Sequence, residues 1–549
     1  MSSKSILILG AGLMQKPVIE SAKSLGLKVF VIDANPNAVC VPLADEFKQI
    51  DLKAREEIAE YGGELKQKEN LISIFTAGTD FSASVSYASE KTGLLSHSFE
   101  AALNASDKSR MRSCFKKENV PSPDFVTINK SQICESLTHD FVTSLQYPLV
   151  VKPVDNMGAR GCRMIRNKSE LLFSIEDAVR NSRSGNCILE DYMEGPEFSI
   201  DALIYDGTMT ITGFADRHIY FPPYFIETGH TMPTAISGSQ YNELIQTFAR
   251  GAYALGLTRG AAKADIKYTK DGPMVGEIAA RLSGGYMSGW TFPYSSDLNL
   301  TKAAIQIACG DAPTELESMR KSLEIDAPYK MYNVPSVKCS AERAWISIPG
   351  VVKKIYGLES CGVAAGGSYI EGGSCIEGSE VRDILPRVKE GDKVVFPRNN
   401  VEKCGNVIAV AKTRDAAVLT AENFIKNITL ELESGNKETQ YFLDGKKLKH
   451  EDGFAPLAFE LPLQVVSALK KELDEKKKKI PSGESVLNYI PSTLNTEEIL
   501  NIKDWNHLSL KETLKKFDLL KPEHKAIDYK KFWTYLIRGG IQGALYAEN

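Results

Sequence analysis

The stretch VVKPVDNMGARG, residues 150–161, decides the fold of the central part of the chain. Two valines lead into Lys152, and a glycine-containing loop then turns the chain back into a second strand, predicted over residues 162–165. Backbone N–H groups of such a loop can bind a phosphate, and the lysine adds a point charge. The stretch lacks the Gly-Lys-Ser/Thr of a Walker A loop, so a plain hairpin is an equally open interpretation of these residues alone.

A second polar segment, LEDYMEGPEFSID at residues 189–201, joins two further predicted strands through a Gly-Pro turn. Its carboxylates can accept hydrogen bonds from ribose hydroxyls, and its backbone can read the edge of an adenine ring. The alternative interpretation is an acidic loop on an edge strand.

A third pattern combines KADIK at residues 263–267 with EIAARLSGG at residues 277–285. Alternation along a strand places the polar residues of KADIK on one face. Asp265 and Glu277, on adjacent predicted strands, offer the oxygen ligands preferred by the Mg²⁺ of a nucleotide triphosphate. Arg281 adds a fixed cation where phosphoryl charge develops. The alternative to a metal site is that the charged residues of these two strands only form salt bridges with one another.

The first hundred residues alternate predicted strands, over residues 5–9, 28–32 and 71–75, with a helix over residues 15–25. This βαβ pattern predicts a parallel sheet whose strand ends line a ligand crevice. The glycines at residues 10 and 12 resemble a dinucleotide fingerprint, but that motif needs glycine or alanine where this chain has Gln15. We therefore interpret them as a glycine turn and do not predict NAD or FAD binding.

The C-terminal half contains two regions that differ in composition and in predicted secondary structure. Residues 315–433 contain short predicted strands separated by glycine turns, followed by a helix that begins at Thr413. Residues 434–549 are richer in charge and in helix signals, including an amphipathic stretch over residues 462–479 and a capping box at residues 509–512.

Composition narrows the functional class. The formal net charge is only −4, which gives no global electrostatic reason to expect nucleic acid or an acidic membrane as a partner. No apolar run approaches the roughly 18 residues that span a bilayer, and the N-terminal apolar run enters a glycine turn and not a cleavage site. The ten cysteines show no C-x-x-C spacing, which favours reduced thiols in a cytoplasmic protein.

In their order and spacing the motifs resemble the ATP-grasp ligases, and the Glu-x-Ala-x-Arg form at residues 277–281 resembles the L-amino-acid ligase subgroup. The resemblance implies a mixed α/β and α+β fold. Its predicted parts are an α/β pre-ATP-grasp domain (residues 1–105), an ATP-grasp domain (106–314), a β-rich ligase domain (315–433) and a helical extension of unknown role (434–549).

The same resemblance implies the roles of individual residues. The implied ATP-binding positions are Lys108, Lys152, Gly158, Ala159, Arg160, Gly161, Glu190, Asp191, Tyr192, Met193 and Glu197. Asp265 and Glu277 match the metal ligands, for Mg²⁺ or alternatively Mn²⁺, and Arg281 and Lys152 match the catalytic cations. The implied substrate-binding positions are Glu227, His230, Lys263, Ser283 and Gly284.

Two positions depart from the family pattern. Many members have asparagine where this chain has Ala279, which weakens the case for a second Mg²⁺. Lys263 stands where relatives often have histidine.

The resemblance implies an ATP- and Mg²⁺-dependent carboxylate–amine ligase that acts on an amino acid or small carboxylic acid through an acyl phosphate. A bicarbonate-using carboxylase or carbamoyl-type enzyme and a non-catalytic nucleotide-binding scaffold are the alternatives. A homodimer is common among similar ligases.

Overall fold

The computed structural model describes residues 4–132, 146–358, 377–446, 454–476 and 478–548. The chain forms two compact units, residues 1–218 with 230–341 and residues 219–229 with 342–549. Residues 219–229 therefore belong with the C-terminal unit, although the chain on either side of them belongs with the N-terminal unit.

The N-terminal unit begins with an α/β domain. Its elements are β1 (Ser5–Leu9), α1 (Lys16–Ser24), β2 (Lys28–Asp33), β3 (Glu46–Gln49), α2 (Arg55–Lys68), β4 (Leu71–Phe75), α3 (Ser82–Thr92) and α4 (Phe99–Ser106). The strands form a parallel sheet in the order β3-β2-β1-β4, which confirms the predicted βαβ pattern. Every residue of β1 is buried, as expected for a parallel strand covered on both faces.

A small antiparallel sheet follows. Its elements are α5 (Lys108–Lys117), β5 (Phe125–Asn129), β6 (Leu149–Pro153), β7 (Arg163–Ile165), α6 (Leu171–Asn181) and β8 (Asn186–Asp191). The strand order is β5-β8-β6-β7, and the β6–β7 hairpin confirms the predicted reversal. The Asp107 carboxylate accepts hydrogen bonds from the N–H groups of Ser109 and Arg110 and caps the start of α5.

The rest of the N-terminal unit is built on a larger sheet. Its elements are β9 (Glu197–Tyr205), β10 (Thr208–Tyr220), β11 (Ile226–Met232), α7 (Gly238–Ala254), β12 (Gly260–Thr269), β13 (Gly272–Ala279), α8 (Phe292–Ser296), α9 (Leu300–Cys309), α10 (Thr314–Met319), β14 (Lys321–Ser322) and β15 (Lys330–Asn333). β13, β12, β9 and β10 are neighbours in that order, and α7 packs on β12 and β13. β10 is the longest of these strands, and it includes Arg217.

The C-terminal unit combines short strands with most of the remaining helices. Its elements are β16 (Cys339–Trp345), β17 (Gly350–Tyr356), β18 (Ser379–Pro386), β19 (Lys393–Val394), β20 (Gly405–Ala411), α11 (Arg414–Asn427), β21 (Thr429–Leu432), α12 (Lys437–Leu443), α13 (Leu463–Glu475), β22 (Lys479–Ile480), α14 (Glu497–Leu500), α15 (Leu510–Leu520), β23 (Ile527–Asp528) and α16 (Tyr529–Glu548). Ser509 and Glu512 form the predicted capping box at the start of α15.

The helical extension, residues 434–549, packs into this C-terminal unit. The Gln542 side chain donates to Ser347 Oγ and to the Leu430 carbonyl, and the Asn506 side chain bonds both backbone groups of Ile346. These hydrogen bonds provide partners for buried backbone N–H and C=O groups, whose burial without a partner would cost free energy. The extension is therefore an integral part of the core of its unit.

Among the helices of the described ranges, none combines the length and the apolarity that crossing a membrane requires.

Candidate active site

The strand pair β12–β13 brings the two predicted metal ligands together. Asp265 and Glu277 are direct partners in the antiparallel register, and a bulge follows between Asp265 and Ile266. Directly opposed residues on one face of a strand pair have Cβ atoms about 5 Å apart. The predicted juxtaposition of these two carboxylates is confirmed.

Asp265 is held by a dense set of donors. Its Oδ1 accepts a hydrogen bond from Ser199 Oγ at 2.7 Å. Its Oδ2 lies 2.9 Å from Arg217 Nη1 and also accepts from Lys263 Nζ. Burial alone would raise the pKa of Asp265, but Arg217 and Lys263 lower it. This carboxylate is therefore ionised and fixed in position.

Glu277 lies in a concentration of positive charge. Burial alone would raise its pKa, but four nearby cations lower it to about 2. They are Lys108, Lys263, Lys152 and Arg281, named here the cation cluster. Lys108 Nζ lies 3.6 Å from Glu277 Oε1, and a third of the Glu277 side chain is exposed. The sequence motifs that contribute these four cations lie far apart along the chain, and the fold brings their charges to one carboxylate.

Lys152 is positioned by a buried network on β6 and β8. Glu190 Oε2 lies 2.5 Å from Lys152 Nζ, and Glu190 Oε1 accepts a hydrogen bond from Arg112 Nε at 2.8 Å. Arg112 also donates to the Gly276 carbonyl, which ties the network to β13. Glu190 lies in the segment predicted to read adenine, but both oxygens of its carboxylate are paired with cations. The carboxylate therefore orients Lys152.

The loop between β6 and β7 contains three residues in the left-handed region of backbone conformation. Gly158, Ala159 and Gly161 all adopt positive φ angles, of 68°, 59° and 66°. A Cβ atom on Gly161 would lie 2.7 Å from the Asn181 Cβ, so only glycine fits against α6 there. The Arg160 guanidinium donates within the loop, to the Met157 carbonyl.

The segment over residues 190–193 leaves few backbone groups for a ligand. The N–H groups of Asp191 and Tyr192 donate to the Asp124 and Pro148 carbonyls, and the Met193 carbonyl accepts from Lys267 Nζ. Among the described residues, the Met193 N–H has no partner. Adenine recognition at this segment would therefore use the Met193 N–H.

Glu197, the predicted ribose acid, is paired at the start of β9. Its Oε1 lies 2.5 Å from Arg217 Nη1, and its Oε2 lies 3.5 Å from Lys267 Nζ. Arg217 therefore links Glu197 to Asp265 on β12.

The segment after β13 contacts the N-terminal domain. Ser283 donates from both N and Oγ to Asp201 Oδ2, and a Cβ on Gly284 would lie 3.3 Å from the Gly78 carbonyl oxygen. Gly78 N–H donates to the Leu282 carbonyl. The loop after β4 is thereby fixed beside Arg281, as expected for loops at the carboxyl ends of parallel strands.

The predicted pair Glu227 and His230 is divided between the two units. Glu227 accepts at its carbonyl from Lys403 Nζ, and its N–H donates to Asn400. His230 is buried in the N-terminal unit. Their predicted substrate role stays a prediction.

The polar side chains near the glycine turn after β1 form hydrogen bonds with backbone groups of this domain. Asp33 accepts hydrogen bonds from the N–H groups of Ala11 and Asn35, so its carboxylate is used within the turn. Gln15 is buried and donates to the Ala77 carbonyl. Gln15 thus has a structural role in joining the loops after β1 and β4.

The carboxylate set fits a divalent cation shared with a nucleotide. Asp265 and Glu277 are hard oxygen donors on directly paired positions, and both have lowered pKa values. In the described part of the chain no three His, Cys, Asp or Glu residues are arranged to hold a metal ion alone. Phosphate oxygens would complete such a coordination shell, as is usual for Mg²⁺. Ala279 faces Lys263 in the register and offers no side-chain ligand.

Sequence reasoning missed several residues that this geometry uses. Arg112, Ser199, Asp201 and Arg217 support the predicted residues from neighbouring strands and helices. Ser199 and Asp201 lie in the segment over residues 189–201, which is expected to contact adenine and ribose, whereas Arg112 and Arg217 lie outside the motifs quoted above. Only the strand alternation of residues 197–201 signals that Ser199 and Asp201 share a face.

Comparison with known proteins agrees with this geometry. Residues 145–289 match the family model of the ATP-grasp domain, and residues 377–433 match that of the L-amino acid ligase C-terminal domain 2. Carnosine synthase 1 of Homo sapiens is 25% identical over 336 residues, which are 57% of this chain and 40% of that protein. The L-arginine-specific L-amino acid ligase of Bacillus subtilis is 26% identical over 204 residues, 36% of this chain and 48% of that protein. The chain thus spans less than half the length of these curated relatives.

Among solved structures, the L-amino acid ligase from Bacillus licheniformis superposes with a TM-score of 0.64 at 18% identity, covering 79% of this chain and 100% of that chain. This likeness establishes the fold and confirms the predicted fold class. The chain thus contains an ATP-grasp domain, matched over residues 145–289, and an L-amino acid ligase C-terminal domain 2, matched over residues 377–433.

Proposed function

We propose that this protein is an ATP- and Mg²⁺-dependent carboxylate–amine ligase that acts through an acyl phosphate. The observation that carries the proposal is the cation cluster around Glu277, opposite Asp265, within an ATP-grasp domain. A structural strand pair has no need of four cations near one carboxylate, whereas a triphosphate with its metal ion does.

ATP would lie between the small antiparallel sheet and the β12–β13 pair. Lys152, oriented by Glu190, and Lys108, whose Nζ donates to the Asn156 carbonyl, would contact phosphate oxygens. The positive-φ loop over residues 158–161 would add backbone N–H donors. Residues 191–193 and Glu197 would contact adenine and ribose.

The reaction would proceed in two steps. Attack of the substrate carboxylate on the γ-phosphorus forms the acyl phosphate and releases ADP. Attack of the amine on the acyl carbon then forms the amide and releases inorganic phosphate. Mg²⁺ held by Asp265 and Glu277 would neutralise charge on the phosphate oxygens. Arg281 and Lys152 would stabilise the transferring phosphoryl group. In this scheme no side chain forms a covalent bond to the substrates, so the positioning of the reactants would supply most of the rate acceleration.

The remaining expectations are part of the same proposal. We expect the enzyme to be a cytoplasmic homodimer that acts on small-molecule substrates. Its domains are expected to end at residues 105, 314 and 433. Mn²⁺ is the expected substitute for Mg²⁺, because both accept oxygen ligands.

Hydroxylamine trapping tests this function directly. Purified protein is incubated with ATP, Mg²⁺, hydroxylamine and a panel of amino and other carboxylic acids, and hydroxamate and ADP are measured. An acyl phosphate gives a hydroxamate whatever the natural amine is, so one or more acids are expected to respond. The Glu277→Ala variant is expected to remain folded and to give no signal.

Each other outcome selects a different function. ADP formation that requires bicarbonate, without hydroxamate, would indicate a carboxylase or carbamoyl-type enzyme. ATP binding without turnover for any acid or for bicarbonate would indicate a non-catalytic scaffold.

A further inference from the structure

Lys263 is a buried lysine that interacts with both proposed metal ligands. It lies on β12, and only 11% of its side chain is exposed. Its Nζ donates a hydrogen bond to Asp265 Oδ2, and it belongs to the cation cluster around Glu277. A lysine is rarely buried to this extent unless charged partners compensate for the loss of water. One ammonium group therefore serves both carboxylates.

The register of the strands places Lys263 opposite a residue that has no ligand atom. Asp265 faces Glu277, and two residues earlier on β12 Lys263 faces Ala279. Residues two apart on a strand lie on the same face of the sheet. Next to the carboxylate pair, this face therefore offers a methyl group and an ammonium group, and no oxygen atom.

The hydrogen bonds of Asp265 limit what else it can bind. Each carboxylate oxygen has two lone-pair positions. Oδ2 lies 2.9 Å from Arg217 Nη1 and also accepts from Lys263 Nζ, so both of its positions are taken. Oδ1 accepts from Ser199 Oγ, which leaves one position. Asp265 can therefore bind one metal ion through Oδ1, and it cannot bridge two.

Glu277 is more open to a cation. A third of its side chain is exposed, and Lys108 Nζ, 3.6 Å from Oε1, is beyond hydrogen-bond distance. Glu277 and the remaining position on Asp265 suffice for one divalent cation whose other ligands are phosphate oxygens and water. Within the described residues, no third acid, histidine or cysteine joins this pair. A second cation would have to share Glu277 against the repulsion of the Lys263 ammonium.

We propose that Lys263 takes the place of a second divalent cation, so that this protein works with a single Mg²⁺, the one bound to its nucleotide. The inference rests on the proposed ligase function and goes further by assigning Lys263, implied above to bind substrate, to the phosphate end of the site. The ammonium group supplies a fixed positive charge beside the carboxylate pair, and this charge does not depend on the concentration of free metal.

The direct test counts bound cations and needs no turnover. Mn²⁺, a paramagnetic substitute for Mg²⁺, is titrated into protein that is in molar excess over a non-hydrolysable ATP analogue. Electron paramagnetic resonance measures free Mn²⁺, and binding to protein without the analogue is subtracted. Wild type is expected to bind one Mn²⁺ per analogue. The control Lys270→Met, which replaces an exposed lysine at the turn between β12 and β13, should give the same count.

Two substitutions together are expected to create the second site. Ala279→Asn adds an oxygen ligand opposite Lys263, but alone it should still give one Mn²⁺ because the ammonium group remains. Lys263→Met removes the charge and keeps a long side chain, and alone it should also give one because Ala279 offers no ligand. The double variant should bind two.

Turnover gives an independent readout. At saturating MgATP, additional free Mg²⁺ should not increase the turnover of wild type. Lys263→Met should lose at least about tenfold in turnover, the effect of removing one charge near the transferring phosphate, and added Mg²⁺ should not restore it. In the double variant with Ala279→Asn, added Mg²⁺ should restore part of the loss.

The outcomes separate this inference from the ligase function. Two Mn²⁺ per analogue in wild type, or one in the double variant, would overturn the role of Lys263 and leave the ligase function standing. If wild type shows no analogue-dependent Mn²⁺ binding, both fail. One Mn²⁺ in wild type and two in the double variant, without hydroxamate for any acid, would reject the ligase function and still support the role of Lys263.

Discussion

Glu277 in the β12–β13 pair and Asp504 in the helical extension are both acids in strongly perturbed surroundings, yet their pKa values move in opposite directions. Burial raises the pKa of Asp504 to about 7, because the N–H groups of Asn506 and Leu508 offset burial only in part. The cation cluster instead lowers the pKa of Glu277 to about 2. The opposite shifts have different physical causes: two backbone N–H donors compensate the Asp504 carboxylate only in part, whereas four cations more than compensate the burial of Glu277. Burial alone therefore does not decide whether an acid in this fold is ionised.

The largest expected effect comes from removing the charge at Glu277. Glu277→Gln keeps the side-chain volume but removes the charge of one proposed metal ligand, so ATP turnover is expected to fall by at least about 100-fold. The control is Glu176→Gln, an exposed glutamate on α6, which should retain wild-type turnover. Turnover within a fewfold of wild type in Glu277→Gln would show that the cation cluster does not serve a metal-bound nucleotide.

A second effect separates positioning from direct contact in the same region. Glu190→Gln leaves Arg112 buried without its carboxylate partner, so we expect a loss of stability of about 3 kcal/mol together with weaker nucleotide binding. Lys152→Met removes the phosphate contact while the pair Arg112–Glu190 remains. It should therefore weaken nucleotide binding at a smaller cost in stability. Denaturant unfolding and nucleotide titration of both variants measure the difference, and equal stability losses would contradict it.

Local sequence patterns predict the strands that carry the site but not which strands are neighbours. Alternation and spacing suffice for Asp265 and Glu277, because β12 and β13 are consecutive and joined by a short turn. The pairing of Lys152 with Glu190 depends on β8 lying beside β6, which neither strand specifies alone. The loop after β4 meets the segment after Arg281 through contacts of Ala77 and Gly78 with Leu282, which is remote in sequence. Residues of this kind need coordinates to be found.

The raised pKa of Asp504 predicts how the stability of the protein depends on pH. The folded state holds a proton on Asp504 up to about pH 7, while the unfolded state releases it near pH 4. Since the folded state binds more protons between these values, the Asp504 contribution to stability is lost as pH rises from 4 to 7, by an amount on the order of a few kcal/mol. Asp504→Asn keeps an oxygen acceptor and cannot ionise, so its stability relative to wild type should increase over that range.

Urea unfolding of wild type and Asp504→Asn from pH 5 to 7.5 measures this difference. The contributions of other titrating groups are common to both proteins and cancel in the difference. The exception is the neighbouring Lys516, because burial lowers its pKa to about 8 while the charge of Asp504 raises it. Parallel stability curves would mean that Asp504 is ionised in the folded protein throughout this range.

The smallest expected effect concerns one hydrogen bond. Ser199 Oγ donates to Asp265 Oδ1 at 2.7 Å, and Ser174 Oγ in α6 donates at the same distance to the carbonyl of Glu170, the residue before α6. Both serines are buried. Ser174→Ala should cost about 1 kcal/mol of stability, and Ser199→Ala, whose partner is an ionised carboxylate, about 2 kcal/mol. Only Ser199→Ala loosens a proposed metal ligand, so only it should raise the Mg²⁺ concentration for half-maximal turnover, by about threefold to tenfold. Because each substitution removes one buried serine hydroxyl and its hydrogen bond, a shift in both or in neither would assign Ser199 to folding alone.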